Sequence, residues 1–180
     1  GVVDQNDVTQ VGKSPFPEWY FSFGGKIAWK GFDLEVLFQG AAGMSVNILD
    51  NKNQVVAFVN NGNAYDIAKG AWAYYPEQGI DTRATATYPR LTTQSNENNY
   101  QTSSMWVKNA DYLKLRNLEL GYNFNAMKLQ RAGVDNLRVY LSAHNLLTFS
   151  GLLKHYNMDP EKISGYPTIK SYNVGVSITF

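Results

Sequence analysis

Apolar and polar residues alternate through five stretches of this 180-residue chain. The last is the cleanest. Tyr172, Val174, Val176, Ile178 and Phe180 fall on one face, and Asn173, Gly175, Ser177 and Thr179 on the other. A period of two predicts a strand with one greasy and one polar face. Trp19 to Trp29 repeats it: Trp19, Phe21, Phe23, Ile27 and Trp29 share a face with Gly25, opposite Tyr20, Ser22, Gly24, Lys26 and Ala28. Lys30-Gly31 reads as a tight hairpin turn into Phe32, Leu34, Val36 and Phe38, opposed by Asp33, Glu35 and Gln39. Leu137, Val139, Leu141 and Ala143 likewise alternate with Arg138, Tyr140, Ser142 and His144.

The remaining stretch, Met105 to Phe124, is long for one strand and changes phase inside. Leu118, Leu120, Tyr122 and Phe124 agree in parity, whereas Leu113 and Leu115 do not. One extra residue near Arg116-Asn117 would bring all six to one face. A strand running on above a membrane is the competing account.

Residues 41–104 break the rhythm. Gln54 to Val59 reads as a short strand, and Asn63 to Tyr75 as a short helix with Ala64, Ile67, Ala68 and Trp72 on one side, ended by Pro76. Asn96 to Ser104 reads as polar coil, Ala126 to Ala132 as a helical turn closed by Gly133, and 147–167 as a second long loop. Connections this long inside a compact domain point to function.

The fold class is therefore all-β and antiparallel, in one of two architectures. In a soluble sandwich the apolar row meets a second sheet and the carboxylates meet water. In a large barrel the same row meets lipid and the carboxylates line the lumen. The two Trp of the first strand stand ten residues apart. At about 3.3 Å per residue and a tilt near 40° they span roughly 25 Å, the height of a barrel's apolar band. The closing strand favours the barrel, because an apolar edge left open templates aggregation. Five strands are too few to close one in lipid, and open edges there cost several kcal/mol per unpaired amide. The chain is expected to be the back end of a longer protein, with 1–17 as a connecting segment.

Composition narrows the partners. A net charge of +1 without a polybasic run argues against nucleic acid. Twelve Tyr, nine Phe and four Trp suit aromatic girdles at a membrane, and equally sugar-binding platforms. No apolar run is long enough for a transmembrane helix, and no cysteine offers disulfide or thiol chemistry.

At this point the residues resemble a family, the SusC/RagA-like TonB-dependent outer-membrane transporters, over essentially the whole chain. The resemblance is carried by Trp29-Lys-Gly-Phe-Asp-Leu34 with Phe38-Gln-Gly40, by Asp111 to Tyr122, and by Arg138 to Leu147. Asp159-Pro-Glu161, Tyr166-Pro167 and the closing Tyr172-Asn-Val-Gly175 with Phe180 follow in the same order. It implies the last strands of a 22-stranded transmembrane barrel in the Gram-negative outer membrane, with the plug and the front of the barrel lying elsewhere. Loops 41–104 and 147–167 would then be extracellular, and turns 30–31 and 125–136 periplasmic. The implied partners are a SusD-like surface lipoprotein, TonB acting through the plug, the lipid bilayer, and a glycan or peptide oligomer as substrate. Asn173, Gly175, Ile178 and Phe180 also look like the terminal signal read by barrel-insertion machinery.

Candidate chemistry is sparse, and no enzyme constellation appears. Trp72, Tyr74 and Tyr75 are placed either as a stacking platform for ligand or partner, or as a loop core. Lys108, Lys114 and Arg138 are expected as solvated charges on the lumen. His144 shares that parity and is expected as a hydrogen-bonded structural group, and Asp159-Pro-Glu161 as a turn. Asp4 and Asp7 fall on the ninth and twelfth positions of a calcium-loop pattern whose front half would lie upstream; Ca2+ binding and a plain polar loop are the two readings.

Overall fold

A computed structural model describes residues 5–124 and 133–180. Asp4, with most of the calcium-loop pattern, and the helical turn expected at 126–132 lie outside the described residues. Asp7 ends a short 3-10 turn, Gln5–Asp7.

The strands, in chain order, are β1 (Trp19–Trp29), β2 (Phe32–Ala42), β3 (Ser45–Asn47), β4 (Tyr74–Tyr75), β5 (Ile80–Asp81), β6 (Val107–Asn109), β7 (Tyr112–Asn123), β8 (Asn136–Ser150) and β9 (Ser171–Thr179). Five of them form an antiparallel meander, β1-β2-β7-β8-β9. Lys30 and Gly31, both at positive φ (49° and 91°), close the β1–β2 hairpin as the type I′ geometry requires.

The phase change in β7 is a bulge. Leu37 pairs with Asn117 and Phe38 with Leu115, so Arg116 is the extra residue relative to β2. Across the next ladder Asn117 pairs with His144 and Leu115 with Leu147, so β8 carries a further extra residue beside Asn145 at φ 52°. Leu113, Leu115, Leu118, Leu120 and Tyr122 of β7 then continue rows such as Ile27–Leu34–Leu120–Leu141–Val174. That row stays uncovered: Ile27 is 71% exposed and Val174 75%. No second sheet packs on it among the described residues, so the sandwich architecture does not hold.

The buried core lies beyond one end of this sheet, in a cap made from the segments after β2 and after β8. Ile48, Leu49, Val55, Ala57, Tyr88, Trp106, Leu152 and Met158 form one cluster there. Several expected elements differ because the cap draws on them. Gln54 to Val59 is no strand: Lys52–Val55 is a helical turn and Val59–Asn61 a 3-10 turn. The buried Tyr88 hydroxyl donates to the Val55 carbonyl (2.6 Å) and accepts from the Ala57 amide (3.0 Å), taking the bonds a ladder would use. The helix expected over 63–75 shrinks to a 3-10 turn, Asp66–Gly70, which buries Ala68. Tyr74 and Tyr75 instead enter a hairpin with β5, and Pro76 opens its turn rather than ending a helix.

Met105 to Phe124 is divided at Ala110-Asp111, where the Asp111 carboxylate accepts from the Gly43 and Met44 amides at 2.8 and 3.2 Å. That diverts the chain from β7 into the β3–β6 pair. Loop 147–167 begins later than expected, because β8 runs to Ser150 and Gly151–Tyr156 is helical, capped by the Ser150 hydroxyl.

Tyr88 supplies one expected result. Tyr88→Phe keeps the ring but strands a buried carbonyl and amide, costing about 1–3 kcal/mol. Faster hydrogen exchange at Ala57 checks it, and unchanged protection would count against the hydroxyl's role.

Candidate functional site

The polar face of the sheet gathers most of its charge into two clusters. The first sits near the β1–β2 turn. Asp33 is 3% exposed although it stands on an open sheet face. Burial of a carboxylate demands a partner, and Arg138 supplies it, donating from Nε at 3.0 Å and Nη2 at 2.5 Å. Arg138 Nη2 also reaches Glu119 at 2.7 Å, and the Asn123 amide donates to Asp33 at 2.8 Å. Three strands are thereby tied across the face. Lys26 lies 3.8 Å from both Asp33 and Glu35.

The room for this pair comes from Gly121, which stands opposite Asp33 in the ladder. A Cβ there would sit 2.5 Å from Arg138 Nη2 and 2.6 Å from Asp33 Oδ2. Gly121→Ala should displace the guanidinium and cost about 1–3 kcal/mol by overpacking. A lowered thermal midpoint checks it, and an unshifted midpoint would contradict it.

The second cluster joins cap to sheet. Lys114, with no exposed surface, donates to Asp159 (2.8 Å) and Glu161 (2.6 Å). Glu161 also accepts from the Tyr112 hydroxyl (2.7 Å) and from the bulge residue Arg116. Arg116 in turn donates to Gln39 (2.7 Å) and Asn145 (2.8 Å). The bulge thus aims a cation at the loop that follows β8. Burial alone would raise the Asp159 and Glu161 carboxyls, but the bonds from Lys114 and its neighbours outweigh it and hold both below the usual carboxylate range.

These contacts re-sort the expected site residues. Arg138 and Lys114 do face the polar side, yet neither is a solvated charge, since each is locked between carboxylates. Lys108 is on β6, in the β3–β6 pair rather than in the five-stranded sheet, with its ammonium 3.4 Å from the Ser104 carbonyl and 5.9 Å from the Tyr156 ring. The His144 imidazole is exposed and has no hydrogen-bond partner among the described residues, unlike the hydrogen-bonded group expected there; Asn117, opposite it in the ladder, has a buried Oδ1 that is also unmatched.

The three aromatics do not form one platform. Trp72 is half-buried beside Tyr88, with the Arg90 guanidinium 5.7 Å from its ring centre. Tyr74 and Tyr75 are exposed, Tyr74 beneath the Arg83 guanidinium at 3.8 Å. Arg83 also grips Asp81 with two bonds and holds its carboxyl down to about 2. Asn173, Gly175 and Ile178 lie on β9, with the Tyr140 ring packed over Gly175, and the exposed Phe180 follows directly. Asp159-Pro-Glu161 does turn, with the Glu161 amide on the Asp159 carboxylate, and serves as the cap's anchor as well. Asp33, Glu119 and Arg116 were missed as site residues. Their polar parity was visible, but cross-strand partners follow only from the register.

Nothing in these clusters offers a nucleophile with a base. Among the described residues no group of three or more His, Cys, Asp or Glu could hold a metal. The arrangement is a charged, internally tied surface on one side and an uncovered apolar surface on the other.

No family model matches the chain. TonB-dependent receptor P26 of Formosa agariphila is 26% identical over 196 residues, covering all of this chain and 18% of the receptor. TonB-dependent receptor P3 of the same organism is 24% identical, covering 92% of the chain and 17% of that receptor. The chain therefore spans less than one fifth of the length of the curated relatives it matches. Among solved structures, the RagAB peptide importer matches in its closed-closed state with TM-score 0.73 and 25% identity over 99% of the chain. Its open-open state matches at 0.71, and each match covers 19% of the importer chain. In sequence and in fold, along its whole length, this chain resembles a barrel portion of the SusC/RagA-like TonB-dependent outer-membrane transporters.

Proposed function

We propose that this chain is one stretch of wall, with its extracellular cap, in a 22-stranded outer-membrane importer powered through TonB. The carrying observation is the sheet itself. It has an open apolar face, a polar face crossed by ion pairs, and outer edges on β1 and β9 that pair with no strand among the described residues, over the same span that matches the RagAB importer. An apolar face bare to this extent fits lipid, and the open edges fit further strands of one barrel. The polar face then lines the substrate path. The cap, with segments 41–104 and 147–167, faces outward and meets a SusD-like lipoprotein. A plug elsewhere in the protein couples to TonB, and the cargo is a peptide or glycan oligomer.

The cap-to-sheet ion cluster suits a static role for this stretch, because Lys114 and Arg116 tie the loop after β8 to the wall.

The reading is tested on the natural polypeptide that carries this sequence, extracted from membranes. A mass between five and six times the chain's 20.2 kDa, recovered only with detergent, is expected from the share of the relatives it spans. Folded protein of about 20 kDa released by buffer alone would overturn it.

A further inference from the structure

The cap holds a cleft of about 990 Å³ between residues 52–65 and residues 95–101, within the size range of small-ligand sites. Six of its fourteen lining residues are Asn or Gln. Its charges are Lys52 and Glu97, one of each sign, so the lining as a whole is neutral. Backbone conformation explains only part of the amide content. Asn60 and Asn61 stand at φ 51° and 61°, where Asn is one of the few tolerated residues. Asn53, Asn63 and Gln101 have no positive φ, and their exposed carboxamides have no hydrogen-bond partner among the described residues. Asn51, Asn109, Asn123 and Asn145, by contrast, are each engaged within the protein. Two tyrosines complete the lining. Tyr65 is exposed. Tyr100 stacks on Trp106 and turns its hydroxyl to that of Tyr88 at 3.1 Å, so it offers the cleft ring surface rather than a polar group.

We propose that this cleft binds a neutral oligosaccharide, its hydroxyls on the carboxamides and its C–H faces against the tyrosine rings. The proposal rests on the importer reading, which turns the cap outward, and narrows the cargo to the glycan class. Three features select that class. A sugar hydroxyl both donates and accepts, and a carboxamide does the same, so an amide-rich lining matches a polyol without needing charge. An acidic sugar or an acidic peptide would want an excess of cations, and here Lys52 is offset by Glu97. A peptide is held through an open strand edge, an apolar groove or a cluster of one charge. No lining residue belongs to a strand, and apart from the tyrosines the large apolar side chains are only Val56 and Val59. The tyrosines supply the flat apolar surface on which the C–H face of a sugar ring packs.

The test uses the full-length receptor in detergent on an array of neutral oligosaccharides, uronic-acid oligosaccharides and short peptides. The strongest neutral glycan is then titrated calorimetrically. The cleft variants are Tyr65→Ala and the double variant Asn53→Ala with Gln101→Ala, all at exposed positions where truncation leaves the cap folded. The control is Tyr166→Ala, an exposed ring outside the cleft. The expected result is capture of a neutral oligosaccharide, with affinity about tenfold lower in each cleft variant and unchanged in the control. Capture of peptides or acidic glycans alone, capture of nothing, or cleft variants that bind as wild type does would overturn the proposal. A folded protein of about 20 kDa released by buffer alone would instead overturn the importer reading beneath it, whatever sugar it bound.

Discussion

Lys114→Met is expected to release the segment after β8 from the wall of the sheet, with a loss of about 3–5 kcal/mol. The size follows from what is left behind. Asp159 and Glu161, with side chains 10% and 23% exposed, would lose the ammonium that both accept from. Arg116 would remain on Glu161, but Asp159 would keep only the Glu161 and Thr168 amides. Faster hydrogen exchange over 157–168 in the full-length receptor checks this, and exchange equal to wild type would contradict it.

The same cluster carries a pH signature. Both carboxyls are held below their ordinary range, so their contribution is complete above the unfolded values of about 3.9–4.3 and is lost as pH falls through the lower folded values. The anchor should be indifferent between pH 7 and about pH 5, then open in stronger acid. Opening between pH 7 and 6 would contradict the assignment.

Trp106→Ala should be about as costly, roughly 3–5 kcal/mol. Trp106 is 1% exposed and stands between two tyrosines, with ring centroids 5.7 Å from both Tyr88 and Tyr100. Its indole donates to the Asn99 carbonyl at 2.8 Å, and the Ile48 amide bonds its own carbonyl at 3.0 Å. Removing the side chain would open a cavity in the cap. The cap carries most of the buried apolar residues among those described, and on the proposed wall reading the sheet is completed by neighbouring strands and lipid. The expected outcome is therefore a receptor that still inserts in the membrane but whose 44–110 segment is cut quickly by added protease. Protection equal to wild type would show that the cap does not depend on this core.

The sheet was legible because alternation is a local property. Each side chain's face follows from its parity, and even the Arg116 bulge showed as Leu115 and Leu118 falling out of phase. The cap was not legible for the converse reason. Val55 and Ala57 look like a strand only until a hydroxyl from Tyr88, more than thirty residues away, takes their backbone bonds. Lys114 shows the same limit at the site. Its polar parity was plain, but its burial depends on Asp159 and Glu161 arriving from another loop. Asp159-Pro-Glu161 reads as a turn, which it is, without disclosing what the turn holds.

The central claim, that one face of this sheet meets lipid and the other meets water, has a direct test. The chain contains no cysteine, so single ones can be placed by face. Ile27→Cys and Val176→Cys lie on the apolar rows, and Lys26→Cys and Ser177→Cys on the polar side. In native membranes the account predicts that the first two react only with a membrane-dissolved maleimide and the last two with a charged, water-soluble one. If all four were labelled alike by the water-soluble reagent, the apolar face would be in water and the importer-wall account would be wrong.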